Sequence, residues 1–278
     1  MERKGVQMGN SGNHGRQERD NELVISYLEM RKAIGFMGFF IPTAMLLYAL
    51  LTGDPLRSSI SSYYYSPMRE VFVGGLLAIA VFMWSYRGYR EPGRLITDRL
   101  VARCAAVAIT LGSLSPTDPP RVEAGLQPAA TAGPGNGGAL ECLLNNGPTA
   151  DHPSVDYNLM QCLLGPELGP RLHIAAAAVF LLALAVFCLV LFVRDDSPPE
   201  ATAPEKQAEH RIYRICGWII IASMALIAFL WLTDLDVALA ALRPVFWLEA
   251  LACFAFATSW LIKGRTMRPV VRMMARRL

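Results

Sequence analysis

The chain has 278 residues, of which 53% are hydrophobic and only 18% charged, with a formal net charge of +3. Soluble proteins carry about 25% charged residues, and they spread their apolar residues at a surface period; here those residues are gathered in blocks, as in a chain solvated by lipid. The basic residues sit between the apolar blocks, so they read as topology signals rather than as a nucleic-acid footprint, and no nucleic-acid partner is expected.

In chain order, residues 1–21 are rich in Gly, Asn, Arg and Gln with little to bury, and are expected to form a disordered cytoplasmic tail. A membrane domain follows over residues 22–265. It opens on an interfacial turn bearing Leu23, Tyr27 and Leu28. No Ala-x-Ala exit accompanies the first apolar block, so that block is expected to stay in place as an anchor. The fold expected is all-α, a polytopic bundle of six transmembrane helices at about 33–52, 67–86, 100–116, 173–193, 214–233 and 244–262. Ala33–Leu51 carries no charge and makes about 28 Å of helix, one hydrocarbon crossing, with Pro42 expected to kink it. The third block is the least apolar: Arg103 lies inside it, and Ala102/Ala106 and Ala108/Gly112 give the small-xxx-small spacing of a helix packed tightly among neighbours. Residues 117–171 form a Gly/Pro-rich external loop. Residues 194–210, with Asp-Asp-Ser-Pro-Pro-Glu, read as a disordered cytoplasmic linker, and 266–278 as a basic cytoplasmic tail.

Orientation comes from counting Lys and Arg. The two tails and the loops after the second and fourth helices hold twenty, and the alternate loops hold five. A positive-inside bias of that size requires both termini in the cytoplasm. The five Trp agree: Trp84, Trp218 and Trp260 fall near inner helix ends and Trp231 and Trp247 near outer ones, where an aromatic belt lies.

Of the six cysteines, Cys104, Cys188, Cys216 and Cys253 lie in helices, where a free thiol behaves as a small hydrophobe. Cys142 and Cys162 share the external loop, and a disulfide between them is expected, stabilising the loop by roughly 3 kcal/mol. No metal site and no cofactor are expected. Glu249, about a turn and a half into the last helix, is the outstanding residue, because a carboxyl at that depth costs roughly 2.5–3.5 kcal/mol to insert and must face protein or water. Two readings stay open for it: a proton carrier, ion site or catalytic acid, or a packing residue that is protonated or hydrogen-bonded to Arg243 or a Tyr. Ser61, Tyr63, Tyr64, Arg69, Glu70, Asp118 and His173 come from the outer ends of the helices, and with Glu249 they form a candidate outward-facing polar pocket.

The segments Ser59-Ile60-Ser61-Ser62-Tyr63-Tyr64-Tyr65, Arg69-Glu70-Val71-Phe72-Val73-Gly74, Phe246-Trp247-Leu248-Glu249-Ala250 and Ser259-Trp260-Leu261-Ile262-Lys263-Gly264 resemble those of small bacterial polytopic membrane proteins of unassigned function. The resemblance covers about residues 31–115 and 171–265, and implies a location in the bacterial inner membrane. The membrane zinc hydrolases that include alkaline ceramidases and adiponectin receptors bind zinc through three histidines; this chain departs from them, with only His173 at a helix end and no His-x-x-x-His. Three classes of function follow. One is a non-enzymatic protein that binds or senses a small molecule or lipid at the outer face. The second is a small proton- or ion-coupled transporter using Glu249, and the third an outer-face lipid- or envelope-modifying enzyme. The lipid bilayer is the expected partner, and small-residue faces permit self-association without requiring it.

Overall fold

The computed structural model describes residues 10–88, 95–115, 117, 159–194 and 202–276, without the side chains of 10–27, 161, 166 and 167. All regular structure among these residues is helical. The principal helices are α1 (Asn10–Thr52), α2 (Arg69–Ser85), α3 (Asp98–Leu114), α4 (Leu159–Val186), α5 (Ala203–Leu232), α6 (Pro244–Lys263) and α7 (Arg268–Ala275). Four segments are long and apolar enough to cross a membrane: Leu28–Thr52, Leu168–Leu191, Ala203–Leu232 and Ala240–Lys263. The helices α2 and α3, of 17 residues each, are packed among them.

Neighbours follow chain order around a closed ring: α1 packs on α2, α2 on α3, α3 on α4, α4 on α5, α5 on α6, and α6 returns to α1. Small residues set these crossings. In α1 the buried face runs Ile34, Gly35, Gly38, Ile41 and Met45, the 3.6-residue period of one helical stripe. A Cβ at Gly35 would stand 2.7 Å from Leu261 and one at Gly38 3.1 Å from Ala257, so the backbones of α1 and α6 meet almost directly. Ala102, Ala106, Ala108 and Gly112 of α3 are all buried, as their spacing implies. Pro42 lies inside α1, which runs on to Thr52.

The middle of the ring is filled from α4 and α6. The Phe180 and Phe256 rings lie 6.3 Å apart, and Trp260, wholly buried, touches Tyr86, Phe187, Phe192 and Phe256. Each such pair adds about 0.5–1.5 kcal/mol to the area it buries. A π-helical turn, Phe187–Leu191, widens α4 at this point, with the Phe192 N–H reaching back to the Phe187 carbonyl. That turn lets Phe187 and Phe192, five positions apart, both face Trp260.

Several expectations are corrected. Trp260 is a core residue and not part of an interfacial belt, whereas Trp84, Trp218, Trp231 and Trp247 are exposed by 44–64%. Residues 10–21, read as a disordered tail, are helical, since the run from Arg16 to Leu23 contains no breaker and continues directly into the first apolar block. Residues 159–171, read as loop, belong to α4, which breaks at Gly165, where φ of 66° suits glycine alone. Residues 203–210, read as a disordered linker, are the start of α5: Thr202 and Glu205 form a capping box around Pro204, a Thr-x-x-Glu signal present in the sequence. Most of the external loop, including Cys142 and Asp118, lies outside the described residues.

Candidate functional site

One end of the ring carries Arg31 of α1 and Lys263, where α6 stops, and the opposite end carries the segment between α1 and α2. At that second end, residues 58–66 fold back over the bundle and close in a 3-10 turn, Ser61–Tyr65. Local chemistry builds the turn. The Ser59 Oγ accepts the Ser62 N–H at 3.0 Å, while the Ser62 Oγ accepts the Ser59 N–H and donates to the Ser59 carbonyl. The two serines thus cap each other.

Long-range contacts then hold the turn in place. The Glu249 carboxyl accepts the Ile60 N–H at 2.5 Å through Oε2, with the Ser61 N–H beside it. These amides head the 3-10 turn, where N–H groups have no partner within the helix. The reverse exchange occurs beside it: the Phe246 N–H, an unpaired donor in the first turn of α6, is taken by the Ser58 carbonyl at 2.9 Å. Tyr63 packs against the Phe246 ring at 6.3 Å. On the other side, the Tyr64 Oη donates to the Leu114 carbonyl at 3.1 Å and the Tyr65 Oη to the Thr117 carbonyl at 2.7 Å. Both acceptors lie at or just beyond the end of α3, where the last carbonyls lack intrahelical donors. Arg69, at the head of α2, stacks its guanidinium 4.9 Å over the Tyr64 ring.

His173 serves the same helix end. Its Nδ1 lies 2.8 Å from the Gly112 carbonyl, which can only accept, so Nδ1 bears the proton and His173 bridges α4 to the last turn of α3. It sits two turns beyond the Gly165 break, buried, and does not begin its helix as expected.

Of the predicted site residues, Ser61, Tyr63, Tyr64, Arg69 and Glu249 come together in this cap, and His173 joins through α3. Glu70 is exposed on the first turn of α2. Asp118 lies outside the described residues. Cys162 is buried and is not among the free thiols, which are Cys104, Cys188, Cys216 and Cys253; its expected partner Cys142 lies outside the described residues. Among the described residues no group of three His, Cys, Asp or Glu is placed to hold a metal ion.

A second polar cluster, missed in the sequence, closes the end where α6 stops. Arg31 donates to the Tyr86 Oη at 3.0 Å and to the Lys263 carbonyl at 3.3 Å. Lys263 lays its Nζ 5.5 Å from the centre of the Phe192 ring and 5.8 Å from that of Tyr213. Both cations are buried, at 4% and 8% exposure. Their placement at the margins of the first and last apolar blocks was a signal, but charge counting absorbed it into topology.

Comparison with protein-family models, with curated proteins and with solved structures finds no match for this chain. The chain is a helical protein with four described segments suited to crossing a lipid bilayer.

Proposed function

We propose that this is a six-span protein of the bacterial inner membrane, with both termini cytoplasmic, and that its outward end binds or senses a small molecule or lipid without catalysing a reaction. The charge count supports the orientation, and the ring of six helices supports the number of spans. The expected Cys142–Cys162 pairing belongs with this reading, because it places the connecting segment in an oxidising compartment.

The observation that carries the functional part is the bond from the Ile60 N–H to Glu249. A carrier needs its intramembrane carboxyl available to exchange a proton or cation, and here Glu249 holds the backbone of the cap. The hydroxyls of Tyr64 and Tyr65 bond to backbone carbonyls of and beyond α3 while Ser59 and Ser62 cap each other, so these groups serve to fasten the cap. What this arrangement offers is a surface element fastened by a few side-chain-to-backbone bonds, whose docking an outward ligand biases by differential binding.

Glu249→Gln and Glu249→Leu separate the readings. Gln keeps an acceptor oxygen for Ile60, so the variant folds with near-normal stability and retains the phenotype that deletion of the gene removes. Leu leaves the Ile60 amide without its acceptor and loses about 1–3 kcal/mol in detergent-extracted stability. A Gln variant that folds normally yet has lost the phenotype overturns the latch and reinstates a carrier.

A further inference from the structure

The cap built on residues 58–66 has beside it one charged group that its fastenings leave unused. Arg69, the first residue of α2, is half-buried, and its guanidinium lies 4.9 Å over the ring of Tyr64, itself 1% exposed. Stacking of that kind engages a face of the guanidinium and none of its N–H groups. Among the described residues the Arg69 side chain makes no hydrogen bond and no ion pair, and its Nε is shut off from solvent. The adjacent carboxylate, Glu70, is exposed and does not pair with it, since consecutive residues of a helix do not face each other.

A buried donor without an acceptor is costly, and more so on a charged group. The position of Arg69 adds to the mismatch. Met68 gives α2 no side-chain cap, and a cation at the positive end of a helix is the unfavourable arrangement, which an anion set beside it reverses. The guanidinium is also held in place. Its platform, the Tyr64 ring, is fixed from the other side by the bond of its hydroxyl to the Leu114 carbonyl.

We propose that Arg69 is the anion-binding group of the outward end, and that the ligand taken there carries a phosphate or a carboxylate. The proposal rests on the outward-binding reading above and names the chemistry of its ligand. The planar fork of a guanidinium pairs two oxygens of such a group at once, which a lysine ammonium does not. Because the same guanidinium stacks on Tyr64, an anion held by Arg69 in this arrangement favours the docked cap, whose Ile60 amide Glu249 accepts.

The test uses the full chain in nanodiscs, with amide exchange read over residues 60–66. At one pH and ionic strength, discs of phosphatidylcholine in chloride are compared with the same discs in inorganic phosphate or acetate, and with discs containing phosphatidylglycerol. An anion bound to the docked cap slows exchange by one plus the ratio of its concentration to Kd, about sixfold at about five times Kd. Slowing by free phosphate or acetate assigns the site a soluble ligand, and slowing by phosphatidylglycerol alone assigns it a lipid headgroup; either is the expected result. Arg69→Gln abolishes the slowing, and Arg69→Lys retains part of it. Each variant is compared with itself with and without anion, so a cap loosened by lost stacking does not obscure the answer. No slowing in any condition, or slowing that survives Arg69→Gln, overturns the proposal. The outward-binding reading is judged by the Glu249→Gln phenotype, to which no anion is added, so the two fail in different measurements.

Discussion

The guanidinium of Arg31, just ahead of the first apolar block, donates to the carbonyl of Lys263, at the last residue of α6 and 232 positions later. With the bond from Arg31 to Tyr86, one side chain joins the ends of α1, α2 and α6 and seals the ring where it closes.

Removing that group takes a charged donor away from the buried Tyr86 hydroxyl and from the Lys263 carbonyl. Arg31→Gln is expected to lower stability by about 2–4 kcal/mol, and Tyr86→Phe by about 1 kcal/mol. The combined variant should lose less than the sum, because both changes break one network. Thermal unfolding of detergent-purified protein measures all three; strict additivity would show that Arg31 and Tyr86 act independently.

Two glycines make a matched pair. A Cβ at Gly217 would stand 2.5 Å from the Leu189 Cγ and 3.1 Å from the Cys188 Cβ, whereas one at Gly74 meets nothing within 4 Å. Gly217→Ala is expected to destabilise by about 1–3 kcal/mol as α4 and α5 are forced apart. Gly74→Ala should be neutral or stabilise by up to about 1 kcal/mol. Equal effects at the two positions would contradict the α4–α5 packing.

His173 is held by a donor bond, so the substitution that matters is one that removes the donor. His173→Phe fills the space but leaves the Gly112 carbonyl unbonded, at a cost of about 1–3 kcal/mol, and His173→Asn recovers part of that loss with its amide N–H. Full stability of the Phe variant would assign His173 to something other than bridging α3 and α4.

The orientation proposed for the chain is open to reporter fusions. Alkaline phosphatase joined after Gly137 should be active and after Pro204 inactive. The opposite pair of results reverses the topology, and activity at both sites changes the number of spans.

Thiol labelling of the unfolded but unreduced protein reads the proposed disulfide. Cys104, Cys188, Cys216 and Cys253 should be modified at once, and Cys142 and Cys162 only after reduction. Prompt labelling of all six removes both the bond and the oxidising location that it supports.

Composition and block length alone made this chain a helical membrane protein, because an uncharged run about as long as the hydrocarbon core is thick leaves few other solutions. The same sequence marked Glu249 as needing a partner, since a carboxyl at that depth is expensive to insert. The identity of that partner was beyond it: a backbone amide of Ile60 carries no side-chain signature, and the two groups are 189 positions apart. Trp260 shows the same limit. By position it belonged to an interfacial belt, and only the wider π-helical turn of α4, which brings Phe187 and Phe192 to its faces, makes it the centre of the core. Periodicity and hydropathy report how far each residue lies from water, whereas the packing of the closed ring decides which groups meet, because contacts across it join residues that no local pattern relates.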